Sequence, residues 1–429
     1  MKGIRNAEII AVGSELLTPL RTDTNSLYLT RMLNELGIEL RRKTVVGDSV
    51  DDLVDAIKEG MRRADLLITV GGLGPTEDDR TREAVAKATG RALVRSQQWV
   101  DYLTMRFQRA GRKLTSNNLQ QADLLDGAEL LENAVGSAPG QWIDGACAIL
   151  MLPGPPREVV PMFEKAARPR ISALLAGGAP ILTRVLRVTG ITESHTDSLI
   201  GSIYRDLLNP SVTILASPGS IELHIRATAG PDRPAEVLIR EIEREFRDRL
   251  GDRVYGADGE TLETVVAGLL VGLGQSIATA ESCTGGLLAS RLTEVPGSSA
   301  YFLRGLVCYS NQSKTDELGV GADLIAEHGA VSPQVAEAMA SGARRAAGAD
   351  YGIGITGVAG PSGGTEAKPV GLVYVSLAGL GRTETTENRF LGERALVRFQ
   401  ATQRALDMLR LRLLNIRAAR QAGARGGRE

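Results

Sequence analysis

The sequence contains few of the residues that build disulfide frameworks or thiolate metal sites. Among its 429 residues there are only three cysteines, Cys147, Cys283 and Cys308. Their number is odd and no two of them have C-x-x-C spacing, which excludes a disulfide framework and a zinc site built on thiolates. A reducing cytoplasm is therefore the expected location.

The sequence also lacks an excess of charge of either sign. Fifty Lys and Arg residues stand against fifty-one Asp and Glu residues, so the formal net charge is −1. Proteins whose main partner is DNA, RNA or an anionic membrane usually carry a basic surplus. Nucleic acid is therefore not an expected partner, and small molecules fit this composition better.

Long apolar runs are absent as well. The longest, residues 265–274, is about half of the roughly 20 residues that a membrane span needs. Glu8 lies where a signal peptide would have its apolar stretch. We therefore expect neither a membrane anchor nor export. The composition, 43% hydrophobic and 24% charged, is that of a folded globular protein, and the length suggests about three domains.

Strands and helices alternate over residues 1–177. Apolar runs at 7–12, 65–70 and 146–152 read as buried strands, and apolar residues at helical spacing follow each of them. This alternation predicts a three-layer α/β domain with a mainly parallel sheet. We place the first domain boundary near residues 177–180.

Residues 181–255 have a different pattern, with three strands and two helices that predict a small α+β domain. Ser217, Pro218 and Gly219 are predicted to form the turn of a hairpin. The order of elements resembles a KH-like fold, but the segment has no G-x-x-G motif and its charges nearly cancel, which argues against RNA binding. A structural or dimerising spacer is the preferred interpretation, and a homodimer is expected.

The alternation returns at residue 256 and continues to about residue 414, which predicts a second three-layer α/β domain. Residues 415–429 carry arginines among alanine and glycine and are predicted to form a flexible tail. The expected fold class is α/β, with two three-layer domains of mainly parallel sheets joined by a small α+β domain.

A glycine-rich turn after the strand at 65–70 is the first candidate site. Its glycines and acids are Gly71, Gly72, Gly74, Glu77, Asp78 and Asp79. The glycines permit the backbone to approach a phosphate, and the helix that opens at Thr81 offers free N–H groups. The acids are suitable ligands for a divalent cation that bridges phosphates. The turn thus predicts a phosphate site; the alternative is an ordinary helix start.

The second candidate site follows the strand that ends at Ala280. Ser282 would lie at a helix start, beside backbone N–H groups around residues 283–286 that can hold an oxyanion. The third domain has a single histidine, His328, without a motif around it, so a His-dependent triad is not expected. Lys314 can act as the base if burial or a nearby cation lowers its pKa, and Tyr309 could relay or orient the proton.

Two alternatives remain open at this second site. Ser282 could be a simple helix cap and Lys314 a solvated charge. Cys283 could be the nucleophile in place of Ser282, because a helix N-terminus lowers the pKa of a thiol.

The first site is one of several motifs that together resemble the N-terminal domain of the CinA family, which is similar to the molybdopterin-binding MoaB/MogA fold. In chain order they are GSELL at 13–17, TDTNS at 22–26, GGLGPTEDD at 71–79, NNLQQA at 117–122, GSAPG at 136–140 and LPGPPRE at 152–158. The resemblance implies metal-dependent hydrolysis of ADP-ribose to AMP and ribose 5-phosphate.

The resemblance also implies roles for single residues of this domain. The implied substrate contacts are Asn25, Gly71, Gly72, Gly74 and Thr76. The implied ligands of a divalent metal ion are Glu15, Asp78 and Asp79. Ser14 stands where many members of the family have an acid.

Motifs around the second site resemble the C-terminal domain of the same family. They are AESCTGG at 280–286, GLVCYSNQSK at 305–314, GITGVAGP at 354–361, KPVG at 368–371 and GERALVR at 392–398. That domain is similar to the amidohydrolase PncC, which converts nicotinamide mononucleotide (NMN) to nicotinic acid mononucleotide and ammonia.

By residue match, Ser282 becomes the nucleophile, and Tyr309 and Lys314 become its activating partners. The implied substrate contacts are Thr284, Gly285, Gly286, Thr356, Gly357, Arg394 and Arg398. No cofactor is implied for this domain.

The resemblance covers nearly the whole chain, which is identified as a member of the CinA family. It implies a cytoplasmic enzyme of pyridine nucleotide salvage with two activities, whose partners are NMN and ADP-ribose. Two other interpretations stay open: an N-terminal module that binds molybdopterin or transfers an adenylyl group, and a binding protein associated with competence for DNA uptake.

Overall fold

A computed structural model of the chain describes residues 3–175, 179–217, 219–230, 232–379 and 381–426. The chain divides into two compact units, residues 1–182 with 227–236 and residues 183–226 with 237–429. The predicted boundary at 177–180 lies partly outside the described residues, and so does Pro218 of the predicted hairpin turn.

The first unit alternates strands and helices along the chain. Its strands are β1 (Asn6–Val12), β2 (Glu39–Val46), β3 (Leu66–Val70), β4 (Leu93–Arg95), β5 (Asp123–Leu125), β6 (Glu129–Leu131), β7 (Gly140–Ile143) and β8 (Ala148–Leu152). Its helices are α1 (Asn25–Glu35), α2 (Val50–Arg63), α3 (Thr81–Thr89), α4 (Gln97–Arg109), α5 (Pro156–Met162) and α6 (Arg168–Ala173). A π-helical turn, Phe163–Ala167, joins α5 to α6.

Six of these strands form one sheet in the order β2-β1-β3-β8-β7-β6. The first four are parallel, and β7 is antiparallel to β8 and β6. Every residue of β3 and β8 is buried, as expected for parallel strands covered on both faces. The prediction of a mainly parallel sheet is therefore confirmed, and the loops after β1, β3 and β8 lie at the same edge.

The next part of the chain forms a four-stranded sheet in the order β10-β11-β9-β12. Its elements are β9 (Ile181–Val188), α7 (Glu193–Tyr204), β10 (Ser211–Ser217), β11 (Ser220–Thr228), α8 (Ala235–Leu250) and β12 (Val254–Ala257). β10 and β11 form the predicted antiparallel hairpin, with Ser217 opposite Ser220. The sequence analysis missed β12 because it is only four residues long.

The C-terminal part contains a five-stranded sheet in the order β14-β13-β15-β16-β17. Its strands are β13 (Ile277–Glu281), β14 (Phe302–Val307), β15 (Tyr351–Gly357), β16 (Leu372–Gly379) and β17 (Arg382–Arg389). Its helices are α9 (Leu262–Leu273), α10 (Leu287–Thr293), α11 (Asn311–Leu318), α12 (Ala322–His328), α13 (Pro333–Ala347) and α14 (Arg394–Gly426).

The central strand β13 is parallel to both of its neighbours, whereas β16 and β17 are antiparallel additions. The sequence analysis did not predict β17. Its sequence, RTETTENR, contains no apolar residue, so the alternation that marks a half-buried strand is missing. Its three threonines are β-branched residues, which favour the extended conformation.

Two glycines of β15 let helix α13 pack directly on the sheet. A Cβ atom at Gly354 would lie 2.2 Å from the carbonyl oxygen of Ala336, and one at Gly352 would lie 2.1 Å from that of Ala340. Glycine is therefore required by the close approach of the helix. This packing fixes the end of β15 beside the end of β13, where the second candidate site lies.

Helix α14 differs from the prediction at its end. It continues to Gly426, so residues 415–426 are helical where the sequence analysis predicts a flexible tail. Alanine, arginine and glutamine are strong helix formers, and Arg420 donates a hydrogen bond to the carbonyl oxygen of Leu273 (3.1 Å). No helix within the described ranges, α14 included, is both long and apolar enough to cross a membrane.

Candidate functional site

Ser282 directly follows the central strand β13 and opens a tight turn, residues 282–286, which we call the Ser282 turn. Its amide continues the ladder by donating to the carbonyl oxygen of Ile355 on β15 (2.9 Å). Gly285 and Gly286 have φ values of +58° and +89°, a left-handed conformation that glycine adopts without strain. The chain thereby reverses into α10 and leaves the buried Ser282 at the carboxyl edge of the sheet.

The carboxylate of Glu281 occupies the N-terminus of α10. It accepts hydrogen bonds from the amides of Leu288 (3.0 Å) and Ala289 (2.8 Å), and its residue is only 1% exposed. An oxyanion must therefore use amides of the Ser282 turn itself, where those of Thr284 and Gly286 have no acceptor among the described residues. The sequence analysis missed Glu281. The signal was an acid at the end of an otherwise apolar strand.

Lys314 is buried beside Ser282. Its Nζ lies 3.2 Å from Ser282 Oγ and 3.1 and 3.3 Å from the carbonyl oxygens of Cys308 and Tyr309. No carboxylate of the described residues pairs with it. Burial, which removes the ammonium group from water, lowers the pKa of Lys314 below its usual value of 10.5. Ser282 and Lys314 therefore form a hydroxyl–amine pair suited to general-base activation of the hydroxyl.

The thiols near this pair are protonated at neutral pH. Burial raises the pKa of Cys283 to about 12, and the negative charge of Glu281 adds to that effect. Burial also raises the pKa of Cys308. Because the thiolate is the reactive form of cysteine, this environment favours Ser282 over Cys283 as the nucleophile.

Tyr309 lies at the site in a different way from that predicted. Its carbonyl oxygen, not its hydroxyl group, contacts Lys314. The phenol is largely exposed, and its oxygen accepts a hydrogen bond from Arg394 (3.0 Å). Within the described residues, no hydrogen bond links this phenol to Ser282 or Lys314. The geometry thus associates the side chain with Arg394 instead of with a proton relay.

Arg394 and Arg398 lie one turn apart on α14 and line one cavity of about 780 Å³. Arg394 donates to the carbonyl oxygen of Gly360 (2.8 Å) as well as to Tyr309. Arg398 donates through two nitrogens to the carbonyl oxygen of Thr284 (3.1 and 2.6 Å) and so fixes the Ser282 turn. These partners are all neutral. Glu393 also lines the cavity.

Thr356 and Gly357 lie at the end of β15, close to Ser282 along the sheet edge. The hydroxyl of Thr356 is buried and donates to the carbonyl oxygen of Ala330 (2.7 Å). A Cβ atom at Gly357 would lie 2.6 Å from the carbonyl oxygen of Leu372, so β16 requires glycine there. Both residues therefore have structural partners that the sequence analysis did not foresee.

In the first unit, Asp79 holds the glycine-rich turn together. Its carboxylate accepts hydrogen bonds from the amide of Gly74 (2.7 Å), the amide of Thr76 (2.8 Å) and the hydroxyl of Thr76 (2.6 Å). The glycines allow close approaches: a Cβ atom at Gly71 would lie 2.3 Å from Val12 O, and one at Gly72 would lie 2.2 Å from Thr81 Oγ1.

Asn25 is brought to the same edge of the first sheet. Its Nδ2 donates to the carbonyl oxygen of Gly154 (2.6 Å) in the loop after β8. Gly154 in turn lies against Gly71, since a Cβ atom there would be 3.7 Å from the Cα of Gly71. The loops after β3 and β8 and the start of α1 therefore meet, as the motif pattern predicts.

The predicted metal ligands do not form a metal centre by themselves. Glu15 and Asp78 are exposed, and a hydrogen bond from Thr76 lowers the pKa of Asp78. The carboxylate of Asp79 already accepts hydrogen bonds within the turn. The amide of Ser14 donates to the carboxylate of Asp48, and the hydroxyl of Ser14 accepts from the amide of Asp48. Across the described part of the chain, no group of three or more His, Cys, Asp or Glu side chains could hold a metal ion. The residues present thus do not fit a preformed metal site.

The fold and the second site define a mixed α/β protein that carries a buried serine–lysine pair. Three families match successive parts of the chain: "Probable molybdopterin binding domain" at 8–173, "Damage-inducible protein CinA KH domain" at 183–256 and "CinA C-terminal domain" at 259–413. A CinA-like protein of Solibacter usitatus is 46% identical over 409 residues, 95% of this chain and 98% of that protein.

A CinA-like protein of Acidobacterium capsulatum is also 46% identical, over 413 residues that are 95% of this chain and 100% of that protein. Among solved structures, the competence/damage inducible protein CihA from Agrobacterium tumefaciens is 42% identical; the match covers 35% of this chain and 93% of that chain, with a TM-score of 0.35. The chain belongs to the CinA family, as its motifs predict.

Proposed function

We propose that the C-terminal domain hydrolyses the carboxamide of NMN to nicotinic acid mononucleotide and ammonia. The observation that carries the proposal is the distance of 3.2 Å between Lys314 Nζ and Ser282 Oγ at a buried site where no carboxylate pairs with the amine. A lysine in this position is disfavoured as a cation and is therefore available as a base.

The groups around Lys314 Nζ determine the direction in which the lone pair of this nitrogen points. Three carbonyl oxygens lie near the amine, those of Cys308 (3.1 Å), Tyr309 (3.3 Å) and Ser310 (3.5 Å). The neutral amine has two N–H groups, which donate to the nearer two, Cys308 and Tyr309. The lone pair then faces Ser282 and accepts the hydroxyl proton. Because α11 and the end of β14 hold the carbonyl groups, this orientation exists before substrate binds.

The reaction follows from this arrangement. Ser282 Oγ attacks the carboxamide carbon while its proton moves to Lys314 Nζ, and a tetrahedral oxyanion forms that the amides of the Ser282 turn stabilise. The ammonium group of Lys314 then gives its proton to the amide nitrogen, and ammonia leaves an acyl-Ser282. Water, deprotonated by Lys314, attacks the acyl carbon and releases the acid and the free serine. The cycle requires no metal ion.

The two arginines supply recognition of the nucleotide phosphate. Both line the cavity, and the hydrogen bonds of both end on neutral oxygens. A phosphate monoester carries roughly −1.5 to −2 charges at neutral pH and pairs well with a guanidinium group. Arg394 suits this role better, because Arg398 holds the carbonyl group of Thr284.

For the N-terminal domain we propose binding of a phosphorylated ligand where the loops after β3 and β8 meet. The support is the meeting of Asn25, Gly71 and Gly154 at the carboxyl edge of a parallel sheet, where α/β proteins commonly bind nucleotides. ADP-ribose is the ligand that the family resemblance implies. The described residues form no preformed metal centre, and the metal dependence of this reaction rests on the family resemblance alone.

The first prediction concerns the nucleophile. Ser282→Ala should lower the rate of ammonia release from NMN by at least about a thousandfold, because the attacking oxygen is lost. Cys283→Ala should retain most of the activity, because the thiol is protonated and only packs in the core. Ammonia release by the two purified variants measures both effects. An inactive Cys283→Ala beside an active Ser282→Ala would make the thiol the nucleophile.

The second prediction concerns the base. The neutral amine of Lys314 is the active form, so kcat/KM should rise with pH through the pKa of Lys314, which lies below 10.5, and then level off. Lys314→Met should lower kcat/KM by about a hundredfold or more and remove this rise. A pH profile of NMN hydrolysis measures the effect. If the Met variant keeps the same rising limb, the limb belongs to another group.

The third prediction concerns the phosphate. Arg394→Ala should raise KM for NMN by about tenfold to a hundredfold, the value of a lost charge-assisted contact. Hydrolysis of nicotinamide riboside, which has no phosphate, should change little. The NMN to riboside ratio of kcat/KM is the measurement. An unchanged ratio would assign phosphate recognition to Arg398 or to the loop at 357–364.

The fourth prediction concerns the N-terminal domain. The chain should release AMP from ADP-ribose only when a divalent ion is present. Asp78→Ala should raise the metal concentration required by about tenfold or more, because its exposed carboxylate is one of the metal ligands that the resemblance implies. Full AMP release in a chelator would contradict metal dependence, and calorimetric binding of molybdopterin without binding of ADP-ribose would favour the pterin alternative.

A further inference from the structure

Arg291 on α10 is a buried cation that joins three helices. Its Nε pairs with Glu263 on α9, and its Nη1 donates to the hydroxyl of Thr402 on α14 (2.6 Å). Its Nη2 donates to the side-chain oxygen of Gln403, and its guanidinium lies 4.6 Å from the ring centroid of Phe399. Helix α10 begins directly after the Ser282 turn. The cluster around Arg291 therefore holds in place the helix that follows the turn.

Gln403 connects the cluster to the hairpin of β10 and β11. While its oxygen accepts from Arg291, its Nε2 donates to the carbonyl oxygen of Gly219 at the tip of the hairpin (3.1 Å). The approach is close, since a Cβ atom at Gly219 would lie 2.6 Å from the Cγ of Gln403. One amide group thus couples the middle domain to α10.

Helix α14 provides a second path from this contact to the site. Five residues before Gln403 it carries Arg398, whose guanidinium holds the carbonyl group of Thr284 in the Ser282 turn. Arg394, one turn earlier, lines the cavity of about 780 Å³ in which we propose that the nucleotide phosphate binds. A shift of α14 at Gln403 therefore acts on the turn at two places, through Arg398 at Thr284 and through Arg291 on the helix that follows the turn.

The cluster has room for a second arrangement. A cavity of about 540 Å³ adjoins it, lined by Arg291, Gln403 and Phe399 and, from the middle domain, by Ser220 and Glu222 among others. A side chain beside a cavity can change its rotamer without displacing the core, whereas a side chain in a close-packed interior cannot. Gln403 therefore has space to release Arg291.

From these contacts we propose that Arg291 is a positioning residue for the amide-hydrolysing site and that the middle domain acts on this site through Gln403. The inference rests on the proposed NMN hydrolysis for its kinetic consequences. It gives the middle domain a function other than that of a spacer. We expect Ser282 and Lys314 to keep their positions when the contact is lost, because the amide of Ser282 is bonded to β15 and Lys314 lies on α11. The expected change is in the later residues of the turn and in the arginines.

The test compares two variants of the full chain. Gln403→Met removes both hydrogen bonds at similar volume, and Gly219→Ala displaces Gln403 from the side of the middle domain. Each should raise KM for NMN by about three- to tenfold, a usual size for coupling between distant sites, with kcat within about threefold and the pH profile unchanged. Combining them should add little to the effect of Gln403→Met alone, because both act on one contact.

Thr189→Val is the matched control. Thr189 donates to the same carbonyl group of Gly219 (3.1 Å) but, among the described residues, makes no hydrogen bond to α14, so its loss should leave KM unchanged. Unchanged KM in both test variants, an equal rise in Thr189→Val, or additive effects in the double variant would overturn the inference while leaving NMN hydrolysis intact.

Hydrogen exchange does not require enzymatic activity and therefore tests the role of Gln403 separately from the proposed NMN hydrolysis. Hydrogen exchange of a peptide that covers the Ser282 turn and α10 should be faster in Gln403→Met than in the unmodified chain, because α10 loses one of its hydrogen bonds to α14. Absence of NMN turnover in the unmodified chain would contradict the proposed function alone. Unchanged exchange would contradict the inference whatever the turnover.

Discussion

The amino group of Lys314 is surrounded by uncharged groups. The strand pairing of the C-terminal sheet places these groups around the amine. The carbonyl groups that surround the amine belong to Cys308 and Tyr309, at the end of β14. The amide of Cys308 donates to the carbonyl oxygen of Glu281 (2.8 Å), so the pairing of β13 and β14 sets where those carbonyl groups lie. The same pairing places Ser282 at the end of β13. One strand pair therefore fixes both the hydroxyl and the amine.

Much of this arrangement could be predicted from the sequence. The strand before Ser282 is mostly apolar, the turn contains two adjacent glycines, and Lys314 follows the next strand along the chain. Parallel strands end at the same edge, which brings the two residues together. Arg291 was beyond prediction because its partners are side chains of helices distant in the sequence. Glu281 was missed although its partners, the amides of Leu288 and Ala289, are close in the sequence. Tyr309 was assigned to the correct place, but the direction of its phenol depends on Arg394, on the last helix.

In the first unit, even less of the candidate site could be predicted from the sequence. Its glycine-rich turn follows a strand as the sequence indicates, but the use of each acid could not be inferred from spacing. Asp79 satisfies the amides of its own turn, while Asp78, its neighbour, faces solvent. A run of acids is ambiguous because consecutive side chains in a turn point in different directions. Only the fold separates the carboxylate that supports the backbone from the one that is available to a ligand.

The burial of the three cysteines affects how readily oxidants react with their thiols. Cys147, Cys283 and Cys308 are all buried, and burial raises the pKa of each thiol, to about 12 for the first two. Peroxides react with thiolates, so sulfenic acid formation at these sulfurs is suppressed at neutral pH. The chemistry proposed for the carboxyl edge of β13 uses an alcohol and an amine, and it does not depend on a sulfur atom. We therefore expect the proposed amide hydrolysis to continue under oxidative conditions that inactivate a cysteine-dependent amidase.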